Sequence, residues 1–347
     1  MSLKENPLIP IGYLKIKPHL LLGMHFAKDL FQKDKQIPPH LVLSPPRERT
    51  RTNLKESMPY YITKDHVKLY YEDRGKGKPV ILLHGLTASR VYFQKQIPEL
   101  VKKFRVIIYD LRGHGDSERP EHGLTLKRFG KDLYELIDYL ELSDVSLVGW
   151  SMGAHVIFEY IKQFTCRNLR KICIIDMTPR LMKTDGWEFG LRGATSRKFG
   201  DFTHTDNLLA LSAMCEDWNS YSRHGVERLF DKKLLNDKLE FSFQEDFKGK
   251  EEMEWMYVEA QRNTPHVIIN MWISLAMQDY RSILPHISVP CLITYGEGSN
   301  YYAPANSEYM KEKIPNSRLV GFPGCGHAPH LQDPEMFNRE LLNFLEK

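Results

Sequence analysis

Val145-Ser146-Leu147-Val148-Gly149-Trp150-Ser151-Met152-Gly153 is an apolar run that ends in a Gly-x-Ser-x-Gly turn, and a helix-like stretch, Ala154 to Lys162, follows it. A buried strand, a turn this tight and an immediate helix leave little room beside the central residue. Gly149 and Gly153 supply that room, so the Ser151 hydroxyl is pushed out at the end of a sheet. The N-terminus of the following helix aims backbone N–H groups at the same spot, which suits developing negative charge. On its own the pentapeptide is a weak signal, and its neighbours in the chain strengthen it.

Upstream, Pro79-Val80-Ile81-Leu82-Leu83 reads as a buried strand that runs into His84-Gly85-Leu86. A strand from Phe104 to Tyr109 leads into Asp110-Leu111-Arg112-Gly113-His114-Gly115-Asp116-Ser117. Near the end, Arg318-Leu319-Val320-Gly321-Phe322 precedes Gly324-Cys325-Gly326-His327-Ala328-Pro329. Four motifs in this order are hard to obtain by accident. From about residue 60 onward the chain resembles the α/β-hydrolase superfamily, and the Gly-Trp-Ser-Met-Gly form is similar to its esterase, lipase and cofactor-free haloperoxidase-like branch.

The rest of the pattern agrees. Val67 to Glu72 alternates as a strand, and Arg74-Gly75-Lys76-Gly77 reads as a hairpin turn before the strand at 79–83. Further strand-like runs lie at 171–176 and 289–295. Leu126 to Leu140 is helical, with Phe129, Leu133, Leu136, Ile137 and Leu140 on one face. Strands alternating with helices predict an α/β fold, a mostly parallel central sheet with helices on both faces. The alternation stops between 177 and 280. That stretch is rich in aromatic residues and methionine, Trp218, Trp255 and Trp272 among them, and it stands where hydrolases of this type insert a helical cap. The expected organisation is therefore an N-terminal extension over 1–59, a core over 60–176 and 281–347, and a cap over 177–280. A lining drawn from such a cap favours an apolar acyl or aryl substrate.

Composition narrows the alternatives. Hydrophobic residues make up 42% of the 347 and charged residues 27%, an ordinary globular balance. Residues 1–60 carry ten Lys/Arg against five Asp/Glu, whereas the formal charge of the whole chain is only +4. The body is thus close to neutral, which argues against nucleic acid as a partner. The basic segment includes Pro18 to about Lys33, read as a helix whose Leu20, Met24, Ala27 and Phe31 share a face. Such a stripe packs on the main domain or lies on an anionic membrane surface; residues 36–59 read as linker. The run Leu20 to Met24 is too short for a signal-peptide core, and no run spans a bilayer. The five cysteines show no zinc spacing, so reduced thiols, a cytoplasmic location and no metal are expected. The sequence is silent on oligomeric state.

Ser151 is a weak nucleophile unless a base takes its proton. His327 is the expected base, by its Gly-rich loop after the last strand, with His330 the runner-up. The acid departs from the pattern that the resemblance implies. The superfamily usually places an aspartate after the penultimate strand, and here that loop reads Gly296-Glu297-Gly298-Ser299-Asn300. Ser299 occupies the place, and a serine cannot stabilise an imidazolium by charge. Asp176, at the end of the strand beside the nucleophile strand, is the leading candidate, and Glu297 the next. The resemblance implies an oxyanion hole from the N–H groups of Leu86 and Met152, a brace in His84, and a structural loop holding Arg112, His114 and Asp116. The activity it implies is a cofactor-free serine esterase or thioesterase working through an acyl-enzyme. Transfer of the acyl group to an alcohol uses the same nucleophile. A non-catalytic ligand-binding protein of the same fold is the reading from a different class.

Overall fold

The computed structural model describes residues 60–184, 186–191, 204–230 and 250–347. The N-terminal helix and linker expected before residue 60 lie outside the described residues. Eight strands form one sheet: β1 (Tyr60–Ile62), β2 (Lys68–Gly75), β3 (Pro79–Leu83), β4 (Arg105–Tyr109), β5 (Val145–Trp150), β6 (Leu169–Ile175), β7 (Cys291–Gly296) and β8 (Ser317–Phe322). Their order across the sheet is β1-β2-β4-β3-β5-β6-β7-β8. From β4 to β8 every neighbour is parallel, while β1 and β2 form an antiparallel edge.

The helices are α1 (Ile97–Leu100), α2 (Leu126–Tyr139), α3 (Met152–Phe164), α4 (His204–Glu216), α5 (Trp218–Glu227), α6 (Lys250–Gln261), α7 (Pro265–Ala276), α8 (Pro304–Lys313), α9 (Pro329–Gln332) and α10 (Pro334–Glu346). Helices α4 to α7 fill the interval between β6 and β7, where the strand–helix alternation breaks in the sequence. No helix among the described residues is long and apolar enough to cross a membrane.

The period of two along each strand divides the core. Ile81, Leu83, Ile107, Tyr109, Leu147, Ile172 and Ile174 face one layer, which α2 and α3 cover through Phe129, Leu133, Leu136 and Phe158. Val80, Leu82, Val106, Ile108, Val148 and Cys173 face the other, covered by Tyr92, Phe93, Leu100, Phe337 and Leu341. Strands buried on both faces are why these runs read as continuous apolar segments.

One expectation is corrected. Residues 74–77 do turn, with Gly75 and Gly77 at φ of +78° and +108°, but β2 and β3 do not form a hairpin. β2 pairs antiparallel with β4, Glu72 opposite Ile108, and β4 stands between it and β3. The backbone of 101–104 packs over the turn, with the Val101 carbonyl 3.0 Å from where a Cβ on Gly75 would sit. A local turn signal carries no information about a third strand that arrives later in the chain. β1 is also new: three residues are too few to show a period.

Strand order places the site. The chain leaves β3 toward β4 on one side and, from β5 on, toward β8 on the other. The carboxyl ends of β3 and β5 therefore open a crevice at the switch point. Helix α3 presses into it so closely that a Cβ on Gly153 would overlap the Leu83 carbonyl, and one on Gly149 would come 2.6 Å from the Gly153 carbonyl carbon. The overlap is with backbone, which cannot step aside. Gly153→Ala is expected to cost about 3 kcal/mol or more. A urea midpoint equal to that of the parent protein would show that α3 does not sit this close.

Candidate active site

Ser151 stands between β5 and α3 at φ 52° and ψ −121°. A non-glycine residue rarely occupies that region, and its cost is borne only where the surroundings enforce it. Here they do. The Ser151 N–H donates to the Ile175 carbonyl at the end of β6 (3.0 Å), and the two flanking glycines leave α3 no other path. The side chain makes no capping bond to its own helix. Its Oγ lies 2.9 Å from His327 Nε2 instead.

The His327 loop follows β8 and is held from several sides. Its N–H donates to the Leu229 carbonyl just past α5 (2.7 Å), and its carbonyl accepts from the Trp150 indole Nε1 (2.8 Å). The Tyr301 ring stacks on the imidazole at 4.3 Å between centroids and 28° between planes, and Tyr302 meets it edge-on at 5.5 Å. At the end of β7, Gly296 lets the loop approach: the Gly326 and Cys325 carbonyls occupy the space a Cβ there would need.

Asp176 closes β6 at φ 41°, another position disfavoured for a side chain. Its N–H donates to the Thr294 carbonyl of β7 (2.8 Å), which turns the carboxylate toward the histidine loop. Oδ1 lies 3.4 Å from His327 Nδ1. That is ion-pair reach and longer than a well-formed hydrogen bond, a spacing that commonly tightens when substrate binds. The carboxylate also accepts from the Gly296 N–H (3.1 Å) and the Ser299 hydroxyl (3.3 Å). Burial pushes the Asp176 carboxyl up from its ordinary value, while the contact with His327 and the Gly296 and Ser299 donors pull it back down.

Ser299, at the place where the resemblance implies an acid, is therefore a donor to Asp176. Its oxygen in turn accepts from the N–H groups of Tyr301 (3.3 Å) and Tyr302 (3.4 Å). Glu297 is exposed, and its Oε1 lies beside Gly321 on β8, 2.8 Å from where a Cβ there would sit. His330 is buried against Phe93 and Trp150, at 5.2 and 5.0 Å between centroids, and burial drives its imidazole down to about 3.

The two expected oxyanion donors flank the serine. Met152 is the first residue of α3, so its N–H has no acceptor one turn back. A Cβ on Gly85 would lie 3.2 Å from Ser151 Cβ, which brings the backbone entering Leu86 alongside. Neither amide donates to a backbone carbonyl outside helices and strands among the described residues. His84 braces this loop. Its Nε2 accepts from the Leu111 N–H (2.9 Å), so Nδ1 carries the proton and donates to the Gly85 carbonyl (2.8 Å). Burial lowers its pKa to about 4, which keeps the imidazole neutral near neutral pH. Arg112 and Asp116 hold structure as well: Arg112 grips the Asp132 carboxylate with two bonds (2.9 and 2.8 Å), and Asp116 pairs with Arg90 (2.9 Å) and with Arg262 of the segment after α6. Among the described residues, no group of three His, Cys, Asp or Glu side chains is arranged to hold a metal.

Ser151, His327 and Asp176 thus come together from the ends of β5, β8 and β6. A base set against a hydroxyl, with a buried carboxylate behind it, can remove the hydroxyl proton and stabilise the resulting imidazolium. Three contributors carried no signal in the sequence. The Tyr301 stack, the Leu229 carbonyl and the Trp150 indole act on His327 from loops or strands whose meeting depends on the sheet.

Residues 78–334 match the family model described as alpha/beta hydrolase fold. The chain is similar to a non-heme chloroperoxidase, CPO-A1, from Kitasatospora aureofaciens, 26% identical over 84% of this chain and 100% of the other. It is similar to a pimeloyl-[acyl-carrier protein] methyl ester esterase from Nitrosospira multiformis, 26% identical over 80% of this chain and 98% of the other. Among solved structures, an esterase from Exiguobacterium antarcticum superposes with a TM-score of 0.72 at 26% identity, covering 83% of this chain and 99% of that one.

Proposed function

The chain belongs to the α/β-hydrolase family, and from that premise we propose that this hydrolase cleaves an ester or thioester of an apolar acyl or aryl substrate through a covalent acyl-enzyme on Ser151. The observation that carries the reading is the 2.9 Å contact from His327 Nε2 to Ser151 Oγ, made at a strained turn. Strain there is maintained by the surrounding packing and displays the hydroxyl.

In the proposed reaction His327 Nε2 takes the Ser151 proton as Oγ attacks the carbonyl carbon. The negative charge that forms on the carbonyl oxygen is received by the Leu86 and Met152 N–H groups, at the positive end of α3. Asp176 holds the Nδ1–H tautomer and stabilises the imidazolium. His327 then returns its proton to the leaving alcohol or thiol. Water then attacks the acyl carbon as it gives a proton to Nε2, and Nε2 returns that proton to Ser151 Oγ as the carboxylic acid leaves. The segment 177–280 serves as the cap in this reading. Its Trp255 packs edge-on against Tyr92 (4.9 Å between centroids), and Tyr92 stacks on Trp150 next to the nucleophile (5.2 Å). These contacts support a cap that turns apolar surface toward the acyl group. Esterase and haloperoxidase relatives support an acyl-enzyme, since ester cleavage and peracid formation share it.

A non-catalytic ligand-binding protein would have no need of a carboxylate behind His327, so Asp176 at 3.4 Å supports the hydrolase reading. Labelling with a fluorophosphonate is the direct test. The protein is expected to be labelled at Ser151 alone and to turn over p-nitrophenyl esters; a protein that takes up no label and cleaves none of them is a binding protein. Product analysis with added alcohol separates hydrolysis from acyl transfer.

A further inference from the structure

The geometry points to Arg228 as the recognition residue for a carboxylate carried at the far end of the acyl chain, an inference that rests on the serine hydrolase reading above. Arg228 follows α5. Its Cζ lies 4.6 Å from the centroid of the Tyr301 ring, the same ring that stacks on His327 at 4.3 Å. The guanidinium is therefore two ring contacts away from the proposed base. Its charge acts on Tyr221, Tyr301 and Tyr302, and each of those phenols is held above its ordinary value chiefly by burial.

What sets Arg228 apart is its place beside the Tyr301–His327 stack, with no acceptor among the described residues. Among the described residues most half-buried or buried arginines have their charge answered. Arg90, Arg112, Arg128, Arg180, Arg262 and Arg281 each hold a carboxylate, and Arg119 donates to the Gly115, Ser117 and Arg262 carbonyls. Arg223, one turn and a half earlier, likewise lies over a tyrosine ring, that of Tyr257, but it does not stand beside His327. Arg228 is half-buried and, among the described residues, has a tyrosine face and no carboxylate or carbonyl oxygen. A guanidinium partly removed from water, with its five donors unspent, is an anion site waiting for an acceptor. The cation–π contact orients the fork without using its N–H groups.

The position suits a substrate and not a structural ion. Tyr301 OH donates to the Gly225 carbonyl (3.3 Å) and Asn300 Nδ2 to the Phe230 carbonyl (2.6 Å), so the loop after β7 and the end of α5 are fixed to each other around the arginine. A guanidinium held on both sides and two ring contacts from His327 stands where the tip of a short acyl chain could present a carboxylate. The class implied is the half-ester of a dicarboxylic acid, cleaved at one end and recognised at the other.

The test compares methyl half-esters of straight-chain dicarboxylic acids with methyl esters of monocarboxylic acids of equal length. The parent protein is expected to prefer the half-esters at one chain length. Arg228→Gln should raise their KM about tenfold or more and shift the neutral esters less than about threefold, with Arg228→Lys recovering part of the loss. A readout without turnover is protection: the preferred half-ester should slow fluorophosphonate labelling of Ser151 in the parent protein and not in Arg228→Gln. Neutral esters preferred at every length, no protection, or an equal loss on both ester series would overturn the inference, the last marking Arg228 as a support for Tyr301. If Ser151 takes no label at all, the serine hydrolase reading fails first and this one with it.

Discussion

Ser151→Ala is expected to abolish both ester turnover and fluorophosphonate labelling, a fall of about 10⁵–10⁶ in kcat, with the fold unchanged. The size follows from the geometry. In the proposed reaction every covalent step runs through the one oxygen 2.9 Å from His327 Nε2, and losing it leaves only binding and oxyanion stabilisation. The fold should survive because the strain at φ 52° belongs to the backbone turn, and alanine tolerates that region no worse than serine does. The Ser151 hydroxyl makes no cap to α3, so no helix contact goes with it. Circular dichroism and the urea midpoint should match the parent. Turnover at the parent rate in the purified variant would remove this site from consideration.

Asp176→Asn is expected to lower kcat by about 10³–10⁴ with KM little changed, while Glu297→Gln stays within about threefold of the parent. Asparagine keeps the shape and can still accept from the Gly296 N–H and the Ser299 hydroxyl, so the loop geometry survives. It cannot supply the charge that stabilises an imidazolium, and its amide can turn its own N–H groups toward Nδ1 and select the wrong tautomer. Glu297 is exposed and lies along Gly321 on β8, and its removal touches none of this. The same geometry allows a rescue. Ser299 Oγ is 3.3 Å from the Asp176 oxygen that faces His327, so Ser299→Asp in the Asp176→Asn background should recover part of the lost rate. Steady-state kinetics on the four proteins decides the matter. A larger loss from Glu297→Gln than from Asp176→Asn would return the acid to the loop after β7.

Much of the molecule was legible in the chain. The two-sided burial of β3, β4, β5 and β6 is written as continuous apolar runs, and the amphipathic face of α2 as residues three and four apart. The Gly-x-Ser-x-Gly turn needs its glycines because a helix backbone passes within contact of two strands, and that need is local enough to show as a motif. The position of His327 after the last strand was readable for the same reason. These features depend on residues near one another in sequence, where the period of the element and the stereochemistry of a turn are the governing physics.

The tertiary structure decided the rest. Which strand lies beside which is settled by packing among segments far apart in the chain. Local patterning thus suggested a hairpin between β2 and β3, and β4 occupies the place between them. The carboxylate could only be ranked among candidates, because its distance to His327 depends on β6 and β7 pairing in one register and on two loops folding back together. Arg228, without an acceptor among the described residues, and the Tyr301 stack carried no signal either: an arginine after a helix and a tyrosine in a loop are ordinary until the sheet brings them against His327. Periodicity and turn chemistry act over a few residues, whereas the partner of a buried charge is chosen by whatever side chains the closed fold delivers to it.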